Sequence, residues 1–168
     1  MRNRKPNRLK YYDYSNAGWY YVTICTKHHK THFGMVKQDK MILNDAGKIV
    51  DGCWNKIESL HKNVELDYYV IMPNHIHGII VINDVGDAKF ASPTPDRTKM
   101  ELCKLIQQFK RAVSLQIKSM NLKQNFCWQR SFYDRIIRSE NELFNIRQYI
   151  EQNPLKWELD KGSENLVL

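Results

Sequence analysis

Two histidines in an otherwise apolar segment are the first residues of this chain whose types and spacing suggest chemistry. His75 and His77 lie in VIMPNHIHGIIVI, residues 70–82. Alternate residues of a strand point to the same face, so both imidazoles could hold one ion or one phosphate oxygen. Half-buried histidines with satisfied hydrogen bonds would give the same pattern. Their position directly after a Pro-Asn turn, at the rim of the predicted sheet, favours a site that ligands can enter.

A tyrosine and an asparagine near the end of the chain form the second group. In the segment ENELFNIRQYIEQNP, the residues Leu143, Ile146 and Ile150 form the buried stripe of an amphipathic helix. At 100° per residue, Tyr149 and Asn153 lie together along one edge of that stripe. The pattern therefore places Tyr149 at the rim of the core, where an aromatic residue can also be a packing residue with a solvated hydroxyl.

Together the two groups suggest phosphodiester chemistry. A divalent cation held by two imidazoles and one oxygen ligand can polarise a phosphodiester oxygen, and a nearby tyrosine hydroxyl can attack phosphorus. The carbonyl oxygen of Asn153, one helical turn beyond Tyr149, can supply the third ligand. Such a donor set suits Mg²⁺ or Mn²⁺ poorly in affinity but leaves positions open for substrate. Tyrosine has an unperturbed pKa of about 10 and needs activation, and the sequence identifies no general base.

The first half of the chain carries the elements that must position the histidines. β-branched and aromatic residues predict a strand, and a polar stretch between two short apolar runs predicts a small hairpin or edge ribbon. A three- and four-residue apolar repeat then predicts an amphipathic helix, followed by two strands joined by a tight turn. In order, these elements span residues 19–26, 33–43, 44–61, 64–73 and 75–83.

The second half begins with a long segment of little periodicity, residues 84–96, which we expect to be a loop. A capping box at residues 98–101 then opens a second amphipathic helix. Alternation from Tyr133 onward predicts a fourth strand. A second capping box at residues 139–142 starts the helix that carries the tyrosine, and Asn153-Pro154 is predicted to close it.

The order strand, helix, strand, strand, helix, strand, helix predicts the fold class. It is the split βαβ arrangement of ferredoxin-like α+β domains, a four-stranded antiparallel sheet with two helices on one face. The last helix, with the tyrosine, is an addition that must pack on this body. We divide the chain into a basic N-terminal arm (residues 1–18), one catalytic domain (residues 19–160) and a C-terminal tail (residues 161–168).

Composition limits the possible function classes. The net charge of +8 and the pI near 9.3 indicate a polyanionic partner, although a solvated basic surface would have the same composition. The four cysteines form no CxxC pair, which argues against a zinc ribbon or a disulfide framework. No apolar run approaches the ~20 residues that a bilayer span needs, and the basic N-terminus lacks the apolar region of a signal peptide. We expect a cytoplasmic protein without a membrane partner.

Four segments together carry a resemblance to a known family. MPNHIHGII, FKRAVS, WQRSFYDRIIRSENEL and YIEQNPLKW are similar, in the same order, to the HUH (histidine, hydrophobe, histidine) single-tyrosine transposases of small bacterial insertion sequences. The REP-associated tyrosine transposases are the most similar group. The similarity runs from about Trp19 to Trp157. It implies a metal-dependent nuclease and strand transferase on single-stranded DNA, often with a hairpin, that forms a 5′-phosphotyrosine and releases a 3′-hydroxyl.

The resemblance assigns roles residue by residue. The histidine pair of the family corresponds to His75 and His77, and its nucleophile corresponds to Tyr149. The metal ligand four positions after the nucleophile corresponds to Asn153, a position that is glutamine in some relatives. Tyr133 and Tyr68 remain rival nucleophiles.

DNA contacts are expected from cations and aromatic side chains. Single strands bind grooves that combine Lys and Arg with stacking surfaces, and the basic N-terminal arm can reach phosphates. An ordinary solvated face remains the alternative for each of these residues. The candidates are Lys110, Arg111, Trp128, Arg130, Arg135 and Arg138.

Two other functions remain open. A ferredoxin-like sheet with a basic surface also describes RNA-recognition modules, which bind single-stranded nucleic acid without chemistry, but their K/R-G-F/Y-G/A-F-V pattern is absent. A metal phosphoesterase that uses water as its nucleophile would keep the metal and lose the covalent intermediate. The protein can be a monomer or a homodimer, and in dimeric relatives the tyrosine helix can serve the histidines of the partner.

Overall fold

Six strands and four α-helices make up the part of the chain that the structure, a computed structural model, describes: residues 17–83, 101–122 and 125–164, with only the backbone for the last four. In chain order the elements are β1 (Gly18–Cys25), β2 (Gly34–Lys37), β3 (Lys40–Leu43), α1 (Asp45–Leu60), β4 (Val64–Met72), β5 (His75–Ile82), α2 (Glu101–Ser119), β6 (Tyr133–Ile137), α3 (Glu140–Glu151) and α4 (Asn153–Glu164).

The central sheet has the strand order β4-β5-β1-β6, with antiparallel pairing throughout. Along the chain, α1 comes between β1 and β4, and α2 comes between β5 and β6. This order gives two interlocked βαβ units. This confirms the predicted ferredoxin-like α+β class. The separate ribbon of β2 and β3 confirms the predicted hairpin. Its two turn residues, Gln38 and Asp39, both have positive φ, as a two-residue hairpin turn of type I′ requires.

One face of the sheet holds the main core. Alternate residues of β1 and β5, such as Val22 and Ile80, point to this side and pack with the apolar stripes of α1 and α2. The indole of Trp54 on α1 is fully buried above Gly78. A Cβ atom at Gly78 would lie 2.4 Å from Cζ2 of this indole, so only glycine permits the close approach of helix and strand.

The opposite face carries a smaller cluster. Tyr21, Ile79 and Ile137 of the sheet pack with Ile150 of α3. Ile146 and Leu143 are partly buried against them, which confirms the predicted stripe of the tyrosine helix. The side chain of Ser139 accepts a hydrogen bond from the backbone N–H of Glu142 and caps α3 as predicted.

The prediction for the end of the tyrosine helix needs one correction. Asn153-Pro154 was expected to close the tyrosine helix, and α3 does end at Glu151, but α4 begins at Asn153. Proline lacks an N–H and has a helical φ, so it is tolerated in the first turn of a helix. We interpreted Pro154 as a stop, whereas it is in the first turn of the next helix.

Several predictions fall partly or wholly outside the described residues. These are the basic arm at residues 1–18, the loop at 84–96, the capping box at 98–101 and the end of the tail at 161–168. No helix among the described residues is both long enough and apolar enough to cross a bilayer.

Candidate active site

The two histidines lie at the start of β5, on the sheet face that α3 covers. His77 is paired with Thr23 of β1, and His75 is paired with Cys25. Their ring centroids are 4.5 Å apart. The alternation of the strand therefore brings both imidazoles to one face, as predicted from their spacing.

One nitrogen of each ring is held by the protein. Nδ1 of His77 lies 2.6 Å from the hydroxyl of Tyr21 and 2.9 Å from that of Thr23. Nδ1 of His75 lies 2.6 Å from Oδ1 of Asn74, a carbonyl oxygen that can only accept, so this Nδ1–H donates. A metal-binding histidine commonly donates its other N–H in this way, which fixes the ring and its tautomer. Nε2 of each ring is then the nitrogen suited to bind a ligand.

Asn74 is itself fixed by a turn that precedes β2. Its side-chain Nδ2 donates to the carbonyl of His29, at 3.0 Å. Its own carbonyl accepts from the backbone N–H and the hydroxyl of Thr26. His28 and His29 in this turn have φ of 59° and 52°, in the left-handed region that residues other than glycine seldom adopt. Local strain of this kind is retained where the surrounding structure holds the backbone in place.

Helices α3 and α4 bring the tyrosine and the asparagine to the histidines. The Tyr149 ring centroid is 5.3 Å from that of His77, and the tyrosine is 41% exposed, so its hydroxyl can meet a substrate. Asn153 is buried, and its side chain forms a hydrogen bond with His75 that favours the protonated imidazole. The side chain of Asn153 therefore lies beside the His75 ring. All four residues come from the same chain.

Burial controls the charge of the pair. It lowers the pKa of His75 to about 4, with a further contribution from His29, and lowers the pKa of His77 to about 3, with a further contribution from His75. Both imidazoles are therefore neutral at pH 7, which is the form that binds metals. Burial also raises the pKa of Tyr21 well above its usual value, so this residue keeps its hydroxyl proton.

Two imidazoles and one amide are the candidate ligands for the metal that the resemblance implies. Among the described residues, no group of three His, Cys, Asp or Glu side chains could hold a metal ion. Two neutral imidazoles and the amide oxygen of Asn153 are nevertheless a three-donor set of the open kind, with sites left for substrate oxygens. These residues fit a weakly held divalent cation whose coordination shell is completed by substrate oxygens.

The two rival tyrosines have other neighbours. Tyr133 is paired with Thr23 on the far side of β1 from His77. The Tyr68 ring lies under the guanidinium of Arg147, at 5.2 Å. Of these candidates, Tyr149 is the one in ring contact with a histidine within the described residues.

The predicted DNA-binding residues fall into two groups. Arg111, Arg130 and Arg138 are exposed, and Arg135 is exposed but forms a 2.7 Å ion pair with Glu142. Lys110 and Trp128, in contrast, have contacts that tie the segment before β6 to α2. Lys110 Nζ donates to the carbonyls of residues 129 and 131, and the half-buried indole of Trp128 donates to the carbonyl of Lys110.

Sequence reasoning missed the residues that orient the histidines. The sequence predicts a strand that contains Tyr21 and Thr23 and a turn that contains Asn74, but it assigns these residues no chemistry. Strand alternation places Tyr21 and Thr23 on one face, but only the register of β1 against β5 shows that this face is the histidine face. Lys156 and Trp157 were missed because they lie on α4. The Lys156 ammonium is 5.6 Å from the Tyr149 ring centroid, and the Trp157 ring is 5.9 Å from that of His75.

Comparison with solved structures shows which class of protein has this fold. The structure of a REP-associated tyrosine transposase bound to a REP hairpin aligns with a TM-score of 0.56 and 17% sequence identity, over 93% of this chain and 74% of the other. The chain thus has the fold of that tyrosine transposase. A protein from Deinococcus radiodurans R1, described as a transposase on a provisional basis, gives a TM-score of 0.45 and 18% identity over 89% of this chain and 95% of its own.

Sequence comparison shows the family. No protein-family model matches the chain. An uncharacterized protein of Haemophilus influenzae (strain ATCC 51907 / DSM 11121 / KW20 / Rd) is 36% identical over 169 residues, which cover 96% of this chain and 93% of the relative. The chain belongs to the same family as this Haemophilus protein.

Proposed function

We propose that the protein is a metal-dependent endonuclease and strand transferase for single-stranded DNA, with a transposase-like reaction and Tyr149 as its nucleophile. The observation that carries the proposal is the approach of Tyr149 to His77, at 5.3 Å between ring centroids, with Asn153 beside His75 in the same chain. The shared fold with a tyrosine transposase supports it.

Nε2 of His75, Nε2 of His77 and the amide oxygen of Asn153 are the atoms that would hold Mg²⁺ or Mn²⁺. Such an ion would polarise a phosphodiester oxygen and stabilise the negative charge that develops on the phosphate oxygens. The protein supplies the orientation: Tyr21 and Thr23 fix the His77 ring, and Asn74 fixes the His75 ring.

Tyr149 provides the covalent step. Its phenolic oxygen attacks phosphorus and loses its proton, and the bond from phosphorus to the 3′-oxygen of the preceding nucleotide breaks. That oxygen takes up a proton and leaves as a 3′-hydroxyl, while the downstream strand remains attached as a 5′-phosphotyrosine. Attack of another 3′-hydroxyl on the phosphotyrosine breaks the bond to Tyr149 and joins two strands. No oxidant or reductant is needed in either of these two steps.

The substrate is expected to be single-stranded DNA that contains a hairpin. The transposase of the solved structure is bound to a REP hairpin, and the net charge of +8 suits a phosphate backbone. Tyr149 meets the histidines of its own chain, which supports cleavage by a monomer.

The test is incubation of the protein with hairpin oligonucleotides and Mn²⁺ or Mg²⁺, followed by denaturing gel electrophoresis. A 3′ fluorophore follows the DNA that becomes attached to the protein, and a 5′ fluorophore follows the released fragment. We expect a metal-dependent covalent band that is absent in Tyr149→Phe and in His77→Ala. Tyr68→Phe is the matched control, since it removes the hydroxyl of an equally exposed tyrosine, and it should retain the band.

The other outcomes identify the alternatives. Cleavage that survives Tyr149→Phe without a covalent band would indicate a phosphoesterase that uses water. A covalent band lost in Tyr133→Phe instead would move the nucleophile to β6. Tight DNA binding without cleavage by any metal would indicate a non-catalytic nucleic-acid-binding module.

A further inference from the structure

The first turn of α4 places a cation beside the tyrosine. The ammonium of Lys156 lies 5.6 Å from the centroid of the Tyr149 ring, and both side chains are exposed at the surface. A cation over a phenol ring is attracted by the electrons of the ring face. Lys156 therefore has a preferred position at the residue that we propose as the nucleophile.

The contacts of α4 show that this placement belongs to one face of the helix. Asn153, Lys156 and Trp157 are spaced three and four residues apart, so their side chains lie on the same side of α4. Asn153 forms a hydrogen bond with His75, and the Trp157 ring is 5.9 Å from the ring of His75. The same helix face thus supplies the oxygen donor, a wall of the site and the cation.

Two arginines, one on α3 and one on β6, are engaged in ion pairs. Arg147 is paired with Asp67, and Arg135 is paired with Glu142. Lys156 forms no ion pair with a carboxylate within the described residues. Its charge is therefore available to an anion that enters beside Tyr149, without first breaking a pair.

We propose that Lys156 is a catalytic residue that binds a non-bridging oxygen of the phosphodiester attacked by Tyr149. The inference rests on the proposed function of the same site. The phosphodiester has one negative charge, which increases on its oxygens as the phenolic oxygen attacks, while the two buried imidazoles are neutral. A fixed cation at this point stabilises the transition state and also strengthens binding of the ground state.

The first test measures binding alone and needs no cleavage. The probe is a fluorescein-labelled single-stranded oligonucleotide with a hairpin, titrated at several NaCl concentrations against variants in the Tyr149→Phe background. The slope of log K against log [salt] is negative, and loss of one phosphate contact on a single strand reduces its magnitude by about 0.7. We expect this decrease for Lys156→Met and not for Lys48→Met, an exposed lysine on α1 at the other face of the sheet. An unchanged slope for Lys156→Met, or an equal decrease in both variants, would overturn the proposal.

The second test measures the rate of covalent adduct formation in the protein with Tyr149 intact. We expect Lys156→Met to slow the reaction at least about tenfold, as loss of one transition-state contact does, and Lys156→Arg to restore most of it. If Lys156→Arg forms the adduct as slowly as Lys156→Met, position 156 acts through packing. This result would also overturn the proposal. If no variant forms an adduct, the proposed nuclease function fails, and the salt dependence still decides whether Lys156 contacts a phosphate.

Discussion

The two faces of the central sheet differ in what their side chains do. On the α1/α2 face, Trp54 packs directly onto Gly78, and the cluster around them consists of fully buried apolar residues. On the α3/α4 face, the apolar cluster of four residues ends at His77, and polar side chains continue from there to the edge of the strand. The same strands therefore build a dry core on one side and a polar site on the other, which separates stability from chemistry.

This separation follows from the alternation of β5. Ile76, Gly78 and Ile80 point to the closed face, whereas His75, His77 and Ile79 point to the other. A shift of the strand by one residue would exchange the two sets completely. Mutations on the two faces should consequently have different signatures, and four changes test this difference.

Trp54→Ala should have the largest effect, on stability. Removal of a fully buried indole leaves a cavity on the closed face and should cost about 3 to 5 kcal/mol in the free energy of unfolding. The measurement is urea denaturation followed by far-UV circular dichroism. Phe144→Ala is the matched control, since Phe144 is 61% exposed on α3 and should change stability by no more than about 0.5 kcal/mol. Equal costs would mean that the two faces do not divide these roles.

Acid should destabilise the polar face. The pKa of His75 is about 4 and that of His77 about 3 in the folded, metal-free protein, against 6.5 as the ordinary value. The unfolded chain therefore binds protons first, and stability decreases as the pH falls from about 6.5 towards 4. We expect a loss of about 2 kcal/mol for each of the two histidines between pH 7 and 4.5. In His77→Gln this loss should be smaller, measured by urea denaturation at each pH, and an identical pH dependence would contradict the burial of neutral imidazoles.

Tyr21→Phe should weaken metal binding with little loss of stability. The change removes the hydroxyl that lies 2.6 Å from Nδ1 of His77, and loss of such a partner usually lowers metal affinity about tenfold to hundredfold. Isothermal titration with Mn²⁺ measures it. Tyr20→Phe, one residue away on the closed face, is the matched control and should bind Mn²⁺ as the unmodified protein does. Equal affinities for both variants would remove Tyr21 from the site.

Arg147→Met should have the smallest effect. Arg147 pairs with Asp67 of β4 and stacks near Trp19 and Tyr68, which holds α3 against the sheet. The arginine is partly exposed, so its loss should cost about 1 kcal/mol or less. A double-mutant cycle with Asp67→Asn separates the ion pair from the packing. A coupling energy of zero would show that the ring contacts alone hold this end of α3.

Much of the fold was predictable because it rests on local signals. β-branched and aromatic residues identified β1, two apolar segments joined by a tight turn identified β4 and β5, and alternation identified β6. The apolar repeats identified α1, α2 and α3. The spacing of His75 and His77 placed their rings on one face for the same reason. The helical periodicity that placed Asn153 one turn beyond Tyr149 assumed a single helix, whereas Asn153 begins α4.

The rest depends on contacts between distant parts of the chain. The Tyr21 hydroxyl reaches His77 across 56 residues of sequence, and no periodicity indicates such a contact. Trp128 gives a second example. Its type and basic neighbours predict DNA stacking, and they do not indicate that its half-buried ring packs with Phe33, Phe109 and Phe126. The sequence alone does not distinguish an aromatic residue that stacks on a base from one that packs on phenylalanine.

The position of α4 has a consequence for the timing of synthesis. The histidines are translated first, and the asparagine and lysine that complete their surroundings lie nearly eighty residues later. Since the ribosome adds residues in order, at about 5 to 20 per second, the growing polypeptide holds an imidazole pair for several seconds before a nucleophile or its neighbouring cation exists. Under the proposed function, a nascent chain that lacks Tyr149 cannot form the covalent intermediate, so cleavage cannot precede the synthesis of α3.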